Sequence, residues 1–262
     1  MANGFLLRSL PFDAIGYYPA SDGTSAAYLS NDFMGMVYRG TSSSEAIAVL
    51  VDLGAPVPVD TVALLGVRCG DDPASVTVFA GSDPTFASHD FSAAIGPGGT
   101  ELPAAGTVRH PVGLFSGVPS CRYWYVVIWG QHAGFVTPEI ARVVIGTRSP
   151  YARNFSYGVQ RGAEDLGDIE HSPRGATLRR RGRKLRTLGL AWQFVSQAEA
   201  EGFALPLLEE VGNTEYVLAC LNPDADPQRS RRMYYGNLTG DLGLTWRNHD
   251  GWEKRLQMQS VI

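Results

Sequence analysis

Arg122-Tyr-Trp-Tyr-Val-Val-Ile-Trp-Gly130 is apolar or aromatic at nearly every position. A short run of this kind, bounded by turn residues, reads as a strand buried between two sheets. Working outward from it, similar segments rich in Val, Ile, Leu and Tyr recur, separated by Gly, Pro, Asp or Ser. They predict strands at Gly35–Arg39, Ala46–Leu53, Thr61–Val67, Ser75–Gly81, Arg109–Leu114 and Ile140–Gly146. No long helical period interrupts them. Short strands at this spacing predict an antiparallel sandwich for the first half of the chain.

The composition agrees. The 262 residues hold one large domain or two ordinary ones. With 44% hydrophobic and 18% charged residues, the chain is core-forming, which excludes a disordered protein. The 30 Gly, 16 Pro and 10% aromatics favour short strands and turns over long helices. No apolar run is long enough for a transmembrane helix, so no membrane insertion is expected. Met1-Ala-Asn-Gly-Phe5 has neither a basic nor a long apolar region, so no secretory signal is expected. Cys69, Cys121 and Cys220 are far apart and form no CxxC pair; buried, reduced thiols are predicted, with no metal and no cofactor.

Charge is uneven along the chain. Residues 1–150 carry seven basic and twelve acidic side chains (net −5), and residues 151–262 carry fifteen and fourteen (net +1), giving −4 in all. The character changes near Thr147-Arg-Ser-Pro150. After it come Tyr151–Tyr157, an acidic stretch read as a turn region (Glu164, Asp165, Asp168, Glu170), and a basic stretch: Arg174, Arg179, Arg180, Arg181, Arg183, Lys184 and Arg186. Leu188-Gly-Leu-Ala-Trp-Gln-Phe194 alternates as a strand does. Ser196-Gln-Ala-Glu199 is a capping box that opens the clearest helix, with Ala200, Phe203, Leu207, Leu208 and Val211 on one face and Gly212-Asn213 as its stop. Pro206 predicts a kink or a fresh start within it. Strands are predicted at Glu215–Leu221, Tyr234–Leu238, Leu242–Arg247 and Trp252–Val261. The second half is therefore α+β with one main helix.

Two resemblances follow from these residues. Ala48-Val-Leu-Val-Asp-Leu-Gly54, Val59–Leu65, Ser75-Val-Thr-Val-Phe-Ala-Gly-Ser82, the Arg122-Tyr123 pair and Arg142-Val-Val-Ile-Gly146 resemble, in order and spacing, the discoidin or galactose-binding-like jelly roll over residues 30–148. Arg179-Arg-Arg-Gly-Arg183 leading into Leu188–Phe194, the helix start at Ser196–Glu199, and Thr214–Leu218 resemble the ring-forming domain of distal-tail proteins of tailed bacteriophages over residues 151–262. In that class the ring domain comes first, whereas here the jelly roll leads. Together they imply a mainly β protein: an antiparallel β-sandwich (jelly roll) at 1–148 and an α+β ring-forming domain at 149–262. They further imply a structural component of a phage tail tip or baseplate. Its implied partners are copies of itself in a trimeric or hexameric ring and neighbouring tail tube, hub or baseplate proteins, and its place is the virion, after synthesis in the host cytoplasm. The alternative is a carbohydrate-binding module protein recognising a cell-surface glycan.

Catalytic patterns are missing. The chain has no nucleophile elbow, no zincin HExxH and no phosphate-binding P-loop, and His89, His110, His132, His171 and His249 are scattered singly. A non-enzyme is expected. Asp224 and Asp226, and Asp71, Asp72 and Asp83, sit in turn sequences where Asx-turn chemistry competes with calcium binding. The basic stretch places seven cations in the thirteen residues 174–186. A near-neutral half and an acidic whole argue against direct DNA binding; a subunit interface or a solvated strand edge fits arginine better. Tyr17 and Tyr18, in a Gly/Pro/Ser loop, are the candidate glycan contacts.

Overall fold

The computed structural model describes residues 3–16, 24–40, 46–69, 75–85, 87–95, 107–129, 138–149, 151–224, 226–248 and 251–262. The chain divides into two compact units, Met1–Ser149 with Cys220–Met233, and Pro150–Ala219 with Tyr234–Ile262. Cys220–Met233, which the sequence reading placed in the second half, belongs to the first unit. Its buried Arg229 donates to the carbonyls of Pro223 and of Val112, and the Ser230 hydroxyl accepts from His110 N.

The first unit contains β1 (Phe5–Arg8), β2 (Asp13–Gly16), β3 (Tyr38–Arg39), β4 (Ala46–Val57), β5 (Thr61–Leu65), β6 (Val67–Arg68), β7 (Ser75–Gly81), β8 (Phe91–Ile95), β9 (Val108–Arg109), β10 (Val112–Leu114), β11 (Cys121–Trp129), β12 (Glu139–Ile140) and β13 (Arg142–Gly146). One sheet runs β2-β4-β11-β7-β8. The other is broken into β10-β5-β13 and β3-β12-β6-β9. Gly66 makes the break. It has φ +66°, a Cβ there would lie 2.7 Å from that of Ala141, and its N–H donates to His110 Nδ1 at 3.0 Å. The core lies between the sheets: Val49, Val51, Val78, Trp124, Val126 and Ile128 from one, and Val62, Leu64, Ile140, Val143 and Ile145 from the other. β11 is buried on its second face too, where Val127 packs with Ala46, Ala48 and Phe79. That explains the continuous apolar run.

The second unit contains β14 (Gln160–Asp165), β15 (Asp168–His171), β16 (Thr177–Arg180), β17 (Lys184–Val195), a helix over Gln197–Val211, β18 (Tyr216–Cys220), β19 (Met233–Thr239), β20 (Leu244–Asn248) and β21 (Gly251–Ser260). Its sheet order is β18-β19-β21-β17-β14, with β20 beside β21. The acidic stretch read as a turn region is in fact strand: Glu164 and Asp165 lie on β14, and Asp168 and Glu170 on β15. The period was illegible because every residue of these strands is exposed, so burial imposes no alternation.

The helix opens as predicted. Ser196 Oγ accepts from Glu199 N, and Glu199 Oε2 accepts from Ser196 N at 2.9 Å. Pro206 marks the fresh start that the sequence allows: Ala200–Ala204 widens to a π-turn, with Leu205 N–H donating to the Ala200 carbonyl, and the α-helix resumes over Leu205–Val211 with Pro206 in its first turn. This arrangement accommodates the N–H that proline lacks and relieves its ring clash with the preceding turn. The turn also rotates the buried face: Ala200, Ala204, Leu208 and Val211 are buried, while Phe203 and Leu207 are half-buried. Among the described residues no helix is long and apolar enough to cross a membrane.

Candidate functional sites

The basic stretch is the stem and tip of a long hairpin. β14 pairs with β17, and beyond Gly167 and Gly182 the same two chain directions continue as β15 and β16. In register, Asp168 faces Arg180, Ile169 faces Arg179, and Glu170 faces Leu178. A Cβ on Gly182 would collide with the backbone of Leu166 and Gly167, so the close crossing at the root of the arm requires glycine. Beyond that crossing the arm is solvated on both faces. Even its large apolar side chains stand in solvent: Leu166 is 55% exposed, Ile169 62% and Leu178 56%.

The seven cations do not form one surface. Arg174 sits at the hairpin tip, Arg179 and Arg180 alternate across β16, and Arg181 follows; all four are exposed. Arg183 donates to the Val261 carbonyl at 2.8 Å, and Lys184 lies 3.8 Å from Asp165. Arg186 lies over the Tyr234 ring at 4.2 Å. The last three therefore brace the arm to its own unit. Three acidic side chains of the same unit are engaged elsewhere: Glu199 caps the helix, Glu201 accepts from Gln197, and Glu164 accepts from Gln259.

In the first unit, ends of β4, β7, β8 and β11 share one end of the large sheet. By register, Trp129 stands beside Ala46 and Ser75, and Val76 beside Ile95. The chain leaves or enters the large sheet at these ends and reaches β3, β6, β9 and β12 of the broken sheet. Within the broken sheet, Arg39, Glu139 and Arg68 form one row across β3, β12 and β6, with Arg39 Nε 2.8 Å from Glu139 Oε1. Trp129 is 39% exposed. β2 also ends toward this side, because Gly16 pairs with Val49 while Asp13 pairs with Asp52. Tyr17 and Tyr18 themselves lie outside the described residues, as do Asp71, Asp72, His132 and His249.

Two groups that the sequence flagged for resemblance meet directly. Arg122 Nε and Nη2 donate to Asp52 Oδ1 and Oδ2 at 2.8 and 2.9 Å, and Gly54 N donates to Asp52 as well. The Arg122 hydrogen bond holds the Asp52 carboxyl below its ordinary range. The turn aspartates act as Asx turns: Asp83 accepts from Thr85 N and Oγ1, and Asp226 accepts from Gln228 N. Among the described residues no group of three His, Cys, Asp or Glu is placed to hold a metal. The three cysteines are buried, and burial pushes the Cys220 thiol up to about 12.

One constellation escaped the sequence reading altogether. Lys254, on β21, is completely buried, with Nζ 2.8 Å from Tyr151 Oη and 5.6 Å from the centre of the Trp192 ring. Tyr151 stacks on Trp192 and meets Phe203 edge-on. Burial pushes the lysine down to about 7. A lone charged residue in a strand pattern carries no sequence signal that it points inward; here the register with Trp192 places it there.

No family model matches this chain, and no curated protein matches it. Among solved structures, a carbohydrate-binding module, CBM32-1, of a family 31 glycoside hydrolase from Clostridium perfringens aligns over 53% of this chain and 98% of its own, with TM-score 0.41 and 13% identity. The family 32 module of C. perfringens NanJ, solved with galactose, aligns over 53% and 97%, with TM-score 0.39 and 11% identity. SpGH29 aligns over 53% of this chain but 27% of its own length, with TM-score 0.38 and 16% identity. The architecture itself is mainly β, built of antiparallel sheets with one short helix.

Proposed function

We propose that this chain is a non-enzymatic recognition protein whose sandwich takes a cell-surface glycan at its loop end. The observation that carries this reading is the exposed indole of Trp129 at the end of the large sheet where β4, β7 and β8 also end. An exposed aromatic face suits a sugar, whose ring offers an apolar face to stack on. Titration with galactose and with N-acetylgalactosamine, read by tryptophan fluorescence, tests it. Saturable binding that Trp129→Ala weakens supports the reading; sugars that leave the signal unchanged refute it.

A second reading is favoured by the arm. A solvated hairpin carrying Leu166, Ile169 and Leu178 is poorly supported on its own, and such apolar exposure marks a contact surface. The arm, residues 166–183, has five Arg against Asp168 and Glu170, net +3, which leaves −7 for the rest of the chain's −4. On this reading the arm docks on a neighbouring copy and closes a trimeric or hexameric ring, as a structural component of a phage tail tip or baseplate. Light scattering across ionic strength tests it. A discrete ring that salt or Arg180→Glu dissociates supports assembly, and a monomer at every salt concentration speaks against it.

A further inference from the structure

The outer face of the second unit's sheet carries a trough that neither reading uses. One section, about 660 Å³, is lined by Gln160, Glu164, Thr187, Gln257 and Gln259. The next, about 370 Å³, adds Tyr157, Gln193 and Glu253. The two share Gln160, Gly189 and Gln257, so they form one channel across β14, β17 and β21. From Thr187 to Gln193 it runs about 20 Å along β17, at a strand's rise per residue. Its volume falls in the ordinary range of ligand sites, roughly 300–1,000 Å³ for a compact ligand.

The floor is open because Gly162 and Gly189 present no side chain. A Cβ on Gly162 would lie 2.8 Å from Thr187 Oγ1, and one on Gly189 would lie 3.3 Å from Gln160 Cβ. The formal charges of the lining cancel, Arg161 and Arg255 against Glu164 and Glu253. Glu253 accepts from Arg247 at 2.7 Å and from Arg255 at 2.6 Å, Glu164 accepts from Gln259 at 2.7 Å, and Arg161 turns to Tyr234 Oη. What remains is an electrically balanced field of side-chain amides and hydroxyls, each able to donate or accept.

That balance selects the occupant. An anionic chain such as a nucleic acid would need unneutralised cations. An extended peptide would add beside the outer edge of β14, where the sheet ends, whereas the trough lies over the faces of β17 and β21, which are paired on both sides. An uncharged chain of hydroxyls needs neither. Tyr157, at 107% relative exposure, offers a flat ring at the wall for a sugar to stack on. We propose that this trough binds an uncharged oligosaccharide lying along β17 and β21, at a site separate from the sandwich's loop end.

Calorimetric titration of the full chain with maltohexaose, cellohexaose and chitohexaose tests the proposal. At least one binds saturably, and Gln257→Ala weakens it about fivefold, the loss expected for one neutral hydrogen bond. Tyr157→Ala weakens it too, while Trp129→Ala, in the other unit, leaves it unchanged; circular dichroism confirms that each variant is folded. The proposal is overturned if all three sugars are inert, or if Gln257→Ala and Tyr157→Ala bind like the parent. It is equally overturned if Trp129→Ala alone abolishes binding, a result that would instead favour the loop-end site. Tighter binding of a twelve-residue oligothymidylate than of any sugar overturns it as well.

Discussion

Replacing Lys254 by methionine is expected to stabilise the protein at neutral pH and to remove a specific pH dependence. The amine is completely buried, and desolvation pushes it down to about 7 from the ordinary lysine value of 10.5. The unfolded chain therefore holds one more proton than the folded one between about pH 7 and 10.5, and stability rises with pH across that window. Below pH 7 the cost of the buried ammonium is present in full, roughly 5 kcal/mol at about 1.4 kcal/mol per pH unit. The faces of Tyr151 and Trp192, 5.5 and 5.6 Å away, offset on the order of 1–2 kcal/mol of this. Methionine keeps the length and removes the charge, but it leaves Tyr151 Oη without the 2.8 Å partner, a loss of about 1 kcal/mol or more. The net expectation is that the variant is about 1–3 kcal/mol more stable at pH 7, the range in which apolar replacement of a buried charge commonly falls. That advantage shrinks towards pH 9.5. Urea unfolding at pH 6.5, 7.5, 8.5 and 9.5, followed by tryptophan fluorescence, measures it. A variant less stable than the parent at pH 7, or a difference that does not change with pH, refutes the reasoning.

Gly66→Ala forces a Cβ into the left-handed region and to within 2.7 Å of Ala141, so a loss of about 2–3 kcal/mol is expected in chemical denaturation of the first unit. Glu199→Ala removes the bonds from Ser196 N and from Ala152 N, at 2.9 and 2.8 Å; about 1–2 kcal/mol should be lost, with helical ellipticity near 222 nm falling first on heating. Arg122→Ala frees Asp52, whose depressed carboxyl contributes stability above its ordinary range that is lost as pH falls; the acid-unfolding midpoint should rise relative to the parent's. Leu178→Asp on the arm should change unfolding stability by less than about 0.5 kcal/mol while abolishing any association seen by light scattering. An arm that packs within its own chain would give the opposite pattern.

Much of the architecture is legible before any coordinates. β11 announces itself because Trp124–Ile128 is buried on both faces, and a stretch with no solvated side leaves no polar residue to blur the pattern. The helix start at Ser196 is equally readable, because a capping box is a local device whose partners lie three residues apart. Asp52-Leu-Gly54 and Arg122-Tyr123 are two of the segments that carry the jelly-roll resemblance, and the meeting of Asp52 with Arg122 follows once β4 and β11 pair. Composition and short-range chemistry thus determine the mainly β class, the buried strands and the helix.

Tertiary pairing decides the rest. Strands β14, β15 and β16 are invisible to hydrophobic period, since exposed strands are selected by neither face. The seven-cation stretch looks like one patch in the sequence, yet strand alternation and the bonds of Arg183 and Lys184 divide it into an outer group and a bracing group. Residues 220–233 join the first unit through Arg229, a contact with Val112 that spans more than a hundred residues. Lys254, the trough over Gly189 and the row Arg39–Glu139–Arg68 depend on which strands lie side by side, and that register is set by long-range burial that no local window contains.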